Sequence, residues 1–137
     1  MAANIKKKVQ KQVVVDASFI LTRLFPDEKY NLRVVSYFDQ FSQGKLKFIA
    51  PALLKYEIAN ALRSGVIQRR LVAQIAQVLM REFLKLPITY QEVDFDKILQ
   101  LAFKKQISAY DAAYVYLAQT KKLLLLSLDR KLVKIAG

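Results

Sequence analysis

The stretch that decides the fold is Val13-Val14-Val15-Asp16-Ala17-Ser18, in which three β-branched apolar residues run directly into a carboxylate. Consecutive valines without polar alternation are typical of a strand that is buried on both faces, as in the middle of a parallel sheet covered by helices. Asp16 lies where this strand ends. Because ligands of open α/β sheets bind at the carboxyl ends of the strands, an acid at this position is well placed for chemistry.

The remainder of the chain alternates apolar segments at helical spacing with short apolar runs that predict strands. Further strands are predicted at residues 47–50, 88–90 and 123–126. Strands separated by helices imply right-handed crossovers and therefore a parallel sheet. The predicted fold is a three-layer α/β sandwich with a central parallel sheet of about four strands between helices. The two most apolar strands, 13–16 and 123–126, are candidates for central strands, and the acids that follow them, Asp16 and Asp129, would converge if the two strands are neighbours.

The ends of several helices are predicted from residues with known capping preferences. Ser18 is expected to cap a short helix that ends before Pro26, and Asp27 is a candidate cap for the next helix. Gly65 is expected to end a helix that begins at Leu53.

Charge and composition limit the classes of function. The chain has 23 Lys and Arg residues against 11 Asp and Glu residues, which gives a net charge of +12. Such an excess favours polyanionic partners, most often nucleic acid, although a lysine-rich solvated surface is the simpler alternative. The chain contains no Cys and no His. Disulfides, zinc sites built from these residues, and thiol or imidazole catalysis are therefore excluded.

Length and hydropathy predict a single domain over residues 1–137, with residues 1–11 as a basic, flexible tail. The N-terminus has basic residues, but Asp16 interrupts the following apolar stretch too early for a signal peptide. The apolar run at residues 123–126 is far shorter than the roughly 20 residues that cross a bilayer. We therefore expect a soluble, cytoplasmic protein.

Four of the acids are not accounted for by helix starts or exposed helix faces. Three of them also have a simpler explanation. Glu57 and Asn60 lie in one polar row at helical spacing, which an exposed stripe would explain. Asp111 completes a Ser108-x-x-Asp111 capping box, and the last of the four can cap the final helix. The four acids are Asp16, Glu57, Asp111 and Asp129.

Four segments together resemble the PIN-domain ribonucleases, especially the VapC-type toxins of toxin–antitoxin pairs. The resemblance extends from Val13 to Leu132, and its most specific part is Tyr-Asp-Ala-x-Tyr at residues 110–114. The family usually has one more strand after the last helix. Because this chain ends at Gly137, its sheet is expected to lack that strand. The segments are Val13-Val14-Val15-Asp16-Ala17-Ser18, Glu57-Ile58-Ala59-Asn60-Ala61-Leu62, Ser108-Ala109-Tyr110-Asp111-Ala112-Ala113-Tyr114 and Leu126-Ser127-Leu128-Asp129-Arg130-Lys131-Leu132.

The resemblance implies a metal-dependent endoribonuclease. Asp16, Glu57, Asp111 and Asp129, called the acidic quartet below, would be its catalytic residues and would hold Mg²⁺ or Mn²⁺. Oxygen ligands suit these hard cations, and four crowded carboxylates need a cation to stay ionised together. Ser18, Asn60 and Ser127 would support the site. The resemblance also implies RNA as substrate, a cognate antitoxin that inserts into the acidic cleft, and a homodimer.

Three other functions share many of these features. A non-catalytic RNA- or protein-binding module of the same fold would differ only in lacking metal-dependent turnover. An rRNA-processing PIN nuclease would share the chemistry, although such enzymes often carry a zinc ribbon, which needs Cys. A receiver-like signalling domain is disfavoured because Asp16 has no adjacent acid and Tyr90 ends the predicted third strand.

Overall fold

The structure is a computed structural model, which describes residues 10–137. Strands and helices alternate along the described chain, with helix pairs in three of the connections. The strands are β1 (Lys11–Val15), β2 (Leu46–Pro51), β3 (Thr89–Gln91) and β4 (Leu125–Leu126). The helices are α1 (Ala17–Leu24), α2 (Leu32–Ser42), α3 (Leu53–Ile67), α4 (Ala73–Leu84), α5 (Phe95–Lys105), α6 (Ala109–Lys121) and α7 (Arg130–Ala136).

The four strands form one parallel sheet in the order β3-β2-β1-β4. Val14 of β1 pairs with Ile49 of β2 on one side and with Leu125 of β4 on the other. The predicted parallel α/β fold is confirmed, and β1 and β4 are neighbours. The expectation that β4 is a central strand is wrong, because β4 lies at the edge of the sheet. Its apolar sequence is explained by α6 and α7, which pack against it.

The core fixes the position of β1. Val13, Val14 and Val15 are completely buried, as their unbroken apolar sequence predicts. On one side of the sheet an aromatic cluster packs against them, in which the rings of Phe41 and Phe48 stack with centroids 4.1 Å apart. The end of β1 is therefore held from several directions, and so is the residue that follows it.

Two predicted helix caps are wrong. The cap of α1 is Asp16, whose side chain accepts a hydrogen bond from the Phe19 N–H, and not Ser18. The cap of α2 is Asn31, which accepts from the Val34 N–H. Asp27 instead forms an ion pair with Arg70, with 2.7 Å between Oδ1 and Nη2. In both places the residue that the local sequence favoured as a cap contacts a residue far away along the chain instead.

Gly65 does not end α3, which continues to Ile67. A Cβ atom at this glycine would lie 2.7 Å from Cε1 of Phe25 and 3.1 Å from Cδ2 of Leu71. The glycine therefore lets the ring of Phe25 approach the helix backbone. Close packing, and not a chain reversal, explains this residue.

The described part of the chain begins within the predicted tail. Lys11 is the first residue of β1 and pairs with Leu46, so it does not belong to a flexible tail. The Nε2 atom of Gln10 donates to the carbonyl oxygen of Gly44 at 2.7 Å. Residues 1–9 lie outside the described residues. Within residues 10–137 there is no helix with both the length and the apolar character needed to cross a membrane.

Candidate active site

The sheet topology brings the first and last acids of the quartet to the same end of the sheet. Asp16 follows β1 directly, and Asp129 follows β4 by three residues. The two strands are parallel neighbours, and the Asp16 N–H donates to the carbonyl oxygen of Leu126 at 3.2 Å. Both acids therefore lie at the carboxyl ends of adjacent strands, where α/β sheets place their ligand sites.

Asp16 forms the buried floor of the site. It is 7% exposed, and its Oδ1 atom accepts hydrogen bonds from Ser18 Oγ at 2.7 Å and from the Phe19 N–H at 3.1 Å. Burial raises the pKa of Asp16, and the negative charge of Asp111 adds to this effect. Hydrogen bonds from Ser127, Ser18 and the Phe19 N–H act in the opposite direction. Hydrogen-bond donors thus hold this carboxylate in place. They replace only part of the hydration that it loses on burial, so its pKa stays raised.

Two serines join the turn after β1 to the turn after β4. Ser18 Oγ accepts from the Leu128 N–H at 2.9 Å, and Ser127 Oγ accepts from the Asp129 N–H at 3.0 Å. The two hydroxyl oxygens are 3.4 Å apart. These contacts place Ser18 and Ser127 beside Asp16, where supporting residues were expected.

Glu57 lies on the second turn of α3 and is held by a residue of α6. The buried hydroxyl of Tyr114 donates to Glu57 Oε1 at 2.5 Å. Burial raises the pKa of Glu57, the hydrogen bond from Tyr114 lowers it, and the charges of Asp16 and Asp111 raise it further. Burial and the bond to Glu57 also raise the pKa of Tyr114 well above its ordinary value, so Tyr114 is the proton donor of this pair.

The role of Tyr114 was not predicted from the sequence, which gave it only as part of a motif. A signal was present, because Tyr114 follows Asp111 by three residues and so lies on the same face of α6. What the spacing does not reveal is the partner, which lies 57 residues away along the chain.

Asp111 lies in the first turn of α6 and is half-buried. Its backbone N–H donates to Ser108 Oγ at 3.0 Å, which is the predicted cap. The reciprocal bond of a capping box, from the Ser108 N–H to the Asp111 carboxylate, does not occur among the hydrogen bonds of residues 10–137. Burial raises the pKa of Asp111, the charge of Asp129 raises it further, and the Ser108 hydroxyl lowers it.

Asp129 forms the exposed rim of the site and also caps α7. Its Oδ1 atom accepts from the backbone N–H groups of Lys131 at 3.0 Å and Leu132 at 3.2 Å. Its effect on the pKa of Asp111 places it in the same electrostatic cluster. Asn60 is exposed one turn after Glu57, and its side chain makes no hydrogen bond within the described part of the chain. A supporting role for Asn60 therefore stays a prediction.

Basic side chains do not neutralise the acidic quartet. Within residues 10–137 the ion pairs are those of Arg70 with Asp27 and Glu28, and of Lys85 with Glu82. A chain with a net charge of +12 thus leaves four neighbouring carboxylates without a Lys or Arg partner in its described part. Since like charges at close range repel, a cation from solution would relieve this arrangement.

The carboxylates suit a hard divalent cation, but they are not assembled around one point. Oxygen donors of this kind are the ligands that Mg²⁺ and Mn²⁺ prefer. No group of three or more acidic side chains in the described residues has an arrangement that would hold a metal ion. A cavity of about 740 Å³ lies between α1, α2 and the C-terminal part of α4, and none of the quartet lines it. The candidate site therefore lies outside this cavity, at the carboxyl ends of β1 and β4.

Sequence comparison assigns the family. Ribonuclease VapC3 of Pyrobaculum aerophilum is 33% identical to the chain over 130 residues, which cover 90% of the chain and 93% of that relative. The chain belongs to the VapC family. Exonuclease VapC9 of the same organism is 25% identical to this VapC protein over 100 residues, which cover 73% and 75% of the two chains. No protein-family profile matches the sequence.

Two solved structures have the same fold as this VapC protein. PAE2754 from Pyrobaculum aerophilum superposes with a TM-score of 0.70 at 22% identity and covers 92% of this chain and 84% of its own. FitAcB from Neisseria gonorrhoeae superposes with a TM-score of 0.58 at 18% identity and covers 90% and 92%. At these identities the similarity concerns the fold alone. The predicted PIN-like architecture is confirmed.

Proposed function

We propose that this VapC protein is a metal-dependent endoribonuclease that hydrolyses RNA phosphodiester bonds as the toxin of a toxin–antitoxin pair. One observation carries the proposal: Asp16, at the end of a buried strand, shares an electrostatic cluster with three other acids that have no basic partner in the described residues. The name of the relative that is similar over nearly its whole length, Ribonuclease VapC3, supports the reaction type. The net charge of +12 supports a polyanionic substrate.

The acidic quartet would hold the cation. Asp16, Asp111 and Asp129 would bind Mg²⁺ or Mn²⁺ directly, and Glu57 would bind it directly or through water. A bound divalent cation polarises the phosphate, lowers the pKa of water and neutralises charge on the leaving oxygen. Because the quartet is not preassembled around one point, we expect cation binding to draw these carboxylates together.

The protein's own residues would prepare this site before the substrate arrives. Ser18 and the Phe19 N–H fix the orientation of the Asp16 carboxylate, and Tyr114 fixes that of Glu57. The exposed Asp129 uses Oδ1 to cap α7, and its Oδ2 accepts no hydrogen bond within residues 10–137. The site therefore combines two positioned acids with one exposed acid at its rim. Without His or Cys, proton transfer must use carboxylates, Lys, Tyr or water.

A cleavage assay with a matched pair of variants tests the proposal. Wild-type protein is incubated with single-stranded and structured RNAs in EDTA and in Mg²⁺ or Mn²⁺. We expect cleavage only with metal, and a loss on the order of 10²-fold or more in Asp16→Asn. Asp27→Asn is the control, since it removes an exposed acid that pairs with Arg70 away from the quartet. Metal-independent cleavage, or full activity of Asp16→Asn, would contradict the proposal.

RNA-binding, rRNA-precursor and growth measurements, made beside this assay, separate the alternative functions. RNA binding without metal-dependent cleavage would identify a non-catalytic binding module. Selective trimming of an rRNA precursor would identify a processing enzyme. Cleavage that stops cell growth, and that a small protein from the neighbouring reading frame suppresses, would identify a toxin.

The partners are part of the proposal. A cognate antitoxin would insert into the acidic cleft, where an Arg side chain would pair with carboxylates that lack such a partner in the described residues. We also propose a cytoplasmic homodimer. Co-expression with the neighbouring reading frame, followed by native mass spectrometry, measures both stoichiometries. A monomer that binds no protein from that frame would contradict this part of the proposal.

A further inference from the structure

Three of the four acids are directly preceded in the sequence by a large, exposed apolar side chain. Tyr56 precedes Glu57, Tyr110 precedes Asp111, and Leu128 precedes Asp129. These side chains are 75%, 65% and 46% exposed, respectively. Single exposed apolar residues are ordinary on protein surfaces. Their repeated position beside the acids of the candidate site requires a further explanation.

The two tyrosines lie on the helices that flank the site. Tyr56 is in the first turn of α3, and its Cα atom is about 3.8 Å from that of Glu57. Tyr110 lies one turn before Tyr114 on the same side of α6, at the N-terminal end of this helix, which also carries Asp111. Because Tyr114 reaches across to Glu57, Tyr110 lies on the side of α6 that faces α3. Tyr56 and Tyr110 are thus the residues immediately before an acid of the site on two different helices, and each side chain points about 100° around its helix from that acid.

The rings have no partner within the part of the chain that the structure describes. Neither Tyr56 nor Tyr110 takes part in an aromatic pair, a cation–π contact or a side-chain hydrogen bond there. By contrast, the half-exposed Tyr37 and Tyr90 both contact a neighbouring side chain. The exposed rings are therefore available to a planar ligand.

We propose that Tyr56 and Tyr110 stack on unpaired bases next to the phosphate that the acidic quartet cleaves, with Leu128 as an apolar contact at the rim. Aromatic side chains bind any unpaired base through its π face, and this is how proteins hold single strands. The net positive charge of the chain favours the same ligand. This inference rests on the proposed action on RNA and adds that the strand must be unpaired at the site, since bases within a duplex are already stacked.

Binding is measured in the full chain carrying Asp16→Asn, so that cleavage does not complicate the readout. The probes are a short single-stranded RNA with one 2-aminopurine, a strand of the same length with abasic sites, and a hairpin duplex. We expect quenching of 2-aminopurine and tighter binding of the single strand than of the duplex. Tyr56→Ala and Tyr110→Ala should each weaken binding of the single strand about 5- to 100-fold and leave abasic-strand binding unchanged.

Matched variants separate stacking from other effects. Tyr56→Phe and Tyr110→Phe keep the ring and should keep the affinity. Tyr30→Ala removes a ring of equal exposure, 76%, from the segment between α1 and α2, and should have no effect. Thermal melting checks that each variant is folded.

Two outcomes would overturn the proposal. In the first, the alanine variants bind the single strand as tightly as the parent, and a simultaneous loss of binding to a co-expressed antitoxin would identify a protein interface. In the second, they lose the abasic strand equally, which would indicate contacts to phosphate only. Neither outcome depends on cleavage. Base-dependent binding without metal-dependent cleavage would instead preserve the stacking role and reject the nuclease.

Discussion

The hydroxyl of Tyr114 lies 2.5 Å from Glu57 Oε1, so a buried residue of α6 holds an acid of α3. The same helix carries Asp111 one turn earlier, and α6 packs against β1 and β2. One buried helix thus supplies an acid, positions a second acid and lies against the strand that ends at Asp16. The candidate site is assembled by tertiary packing around α6.

Removing the Tyr114 hydroxyl should disorder Glu57 without disturbing the core. Tyr114→Phe keeps the ring but removes a hydrogen bond to a charged acceptor, which is worth roughly 1.5–3 kcal/mol. We expect weaker Mn²⁺ binding in isothermal titration and slower RNA cleavage. Tyr116→Phe is the control, since Tyr116 lies on the same helix and its hydroxyl makes no hydrogen bond in the described residues. Equal Mn²⁺ affinity of wild type and Tyr114→Phe would show that the bond has no role in positioning.

The metal-free protein should become less stable as the pH rises from mildly acidic to neutral. The pKa values of Asp16, Glu57 and Asp111 are all raised, first by burial, so the folded state holds protons at pH values where the unfolded chain has lost them. Stability therefore falls above the ordinary carboxyl pKa of about 4, until the pH exceeds the raised values. Urea unfolding in EDTA at several pH values measures this decline.

Two additions identify the source of this pH dependence. Mg²⁺ should reduce the decline, because a bound cation stabilises the ionised carboxylates of the folded protein. Asp16→Asn should also reduce it, because its buried side chain no longer ionises. Asp27 acts in the opposite direction, since its bond to Arg70 lowers its pKa and its contribution is lost as the pH falls. A flat profile from mildly acidic to neutral pH would contradict the prediction.

The Ser18 hydroxyl should matter for both stability and activity. It donates to Asp16 Oδ1 and accepts from the Leu128 N–H, which lies 110 residues away along the chain. Ser18→Ala leaves both partners without this contact, and we expect a loss of roughly 1–3 kcal/mol in the free energy of unfolding. Cleavage should fall as well, because the Asp16 carboxylate loses a donor. Ser36→Ala, an exposed site on α2, should change neither quantity, and an equal loss there would refute the assignment.

Much of the fold was predictable because it depends on local chemistry. The valines of β1 are buried as their β-branched run indicates, and Ser108 caps α6 as its spacing from Asp111 indicates. Parallel topology predicted that Asp16 and Asp129 lie at the same end of the sheet, and the pairing of β1 with β4 makes the strands that precede them neighbours. These predictions succeeded because each depends on periodicity, on a cap or on the direction of neighbouring strands.

The parts that were missed depend on contacts between distant residues. Asp16 and Ser18 both have side chains suited to cap α1, and the choice is decided by the engagement of Ser18 with Leu128. The bond from Tyr114 to Glu57 joins two helices whose contact no local pattern reveals. The edge position of β4 likewise depends on which helices cover it. Local sequence therefore predicted the elements and the ends of the strands that Asp16 and Asp129 follow, but not the hydrogen-bond network around the acidic quartet.

Gly65 provides a test of such a distant contact. Gly65→Ala would place a methyl group 2.7 Å from Cε1 and 3.0 Å from Cζ of Phe25, so the ring must move. Overpacking of this kind costs roughly 1–3 kcal/mol, against a gain of up to about 1 kcal/mol from the better helix propensity of Ala. We expect a net loss of stability in urea unfolding. Gly65→Ala should cost less stability in a Phe25→Leu background than in the wild type, because the smaller side chain makes room for the added methyl group. If Gly65→Ala were instead stabilising, as expected of an ordinary exposed helix glycine, the close approach of Phe25 would not constrain α3.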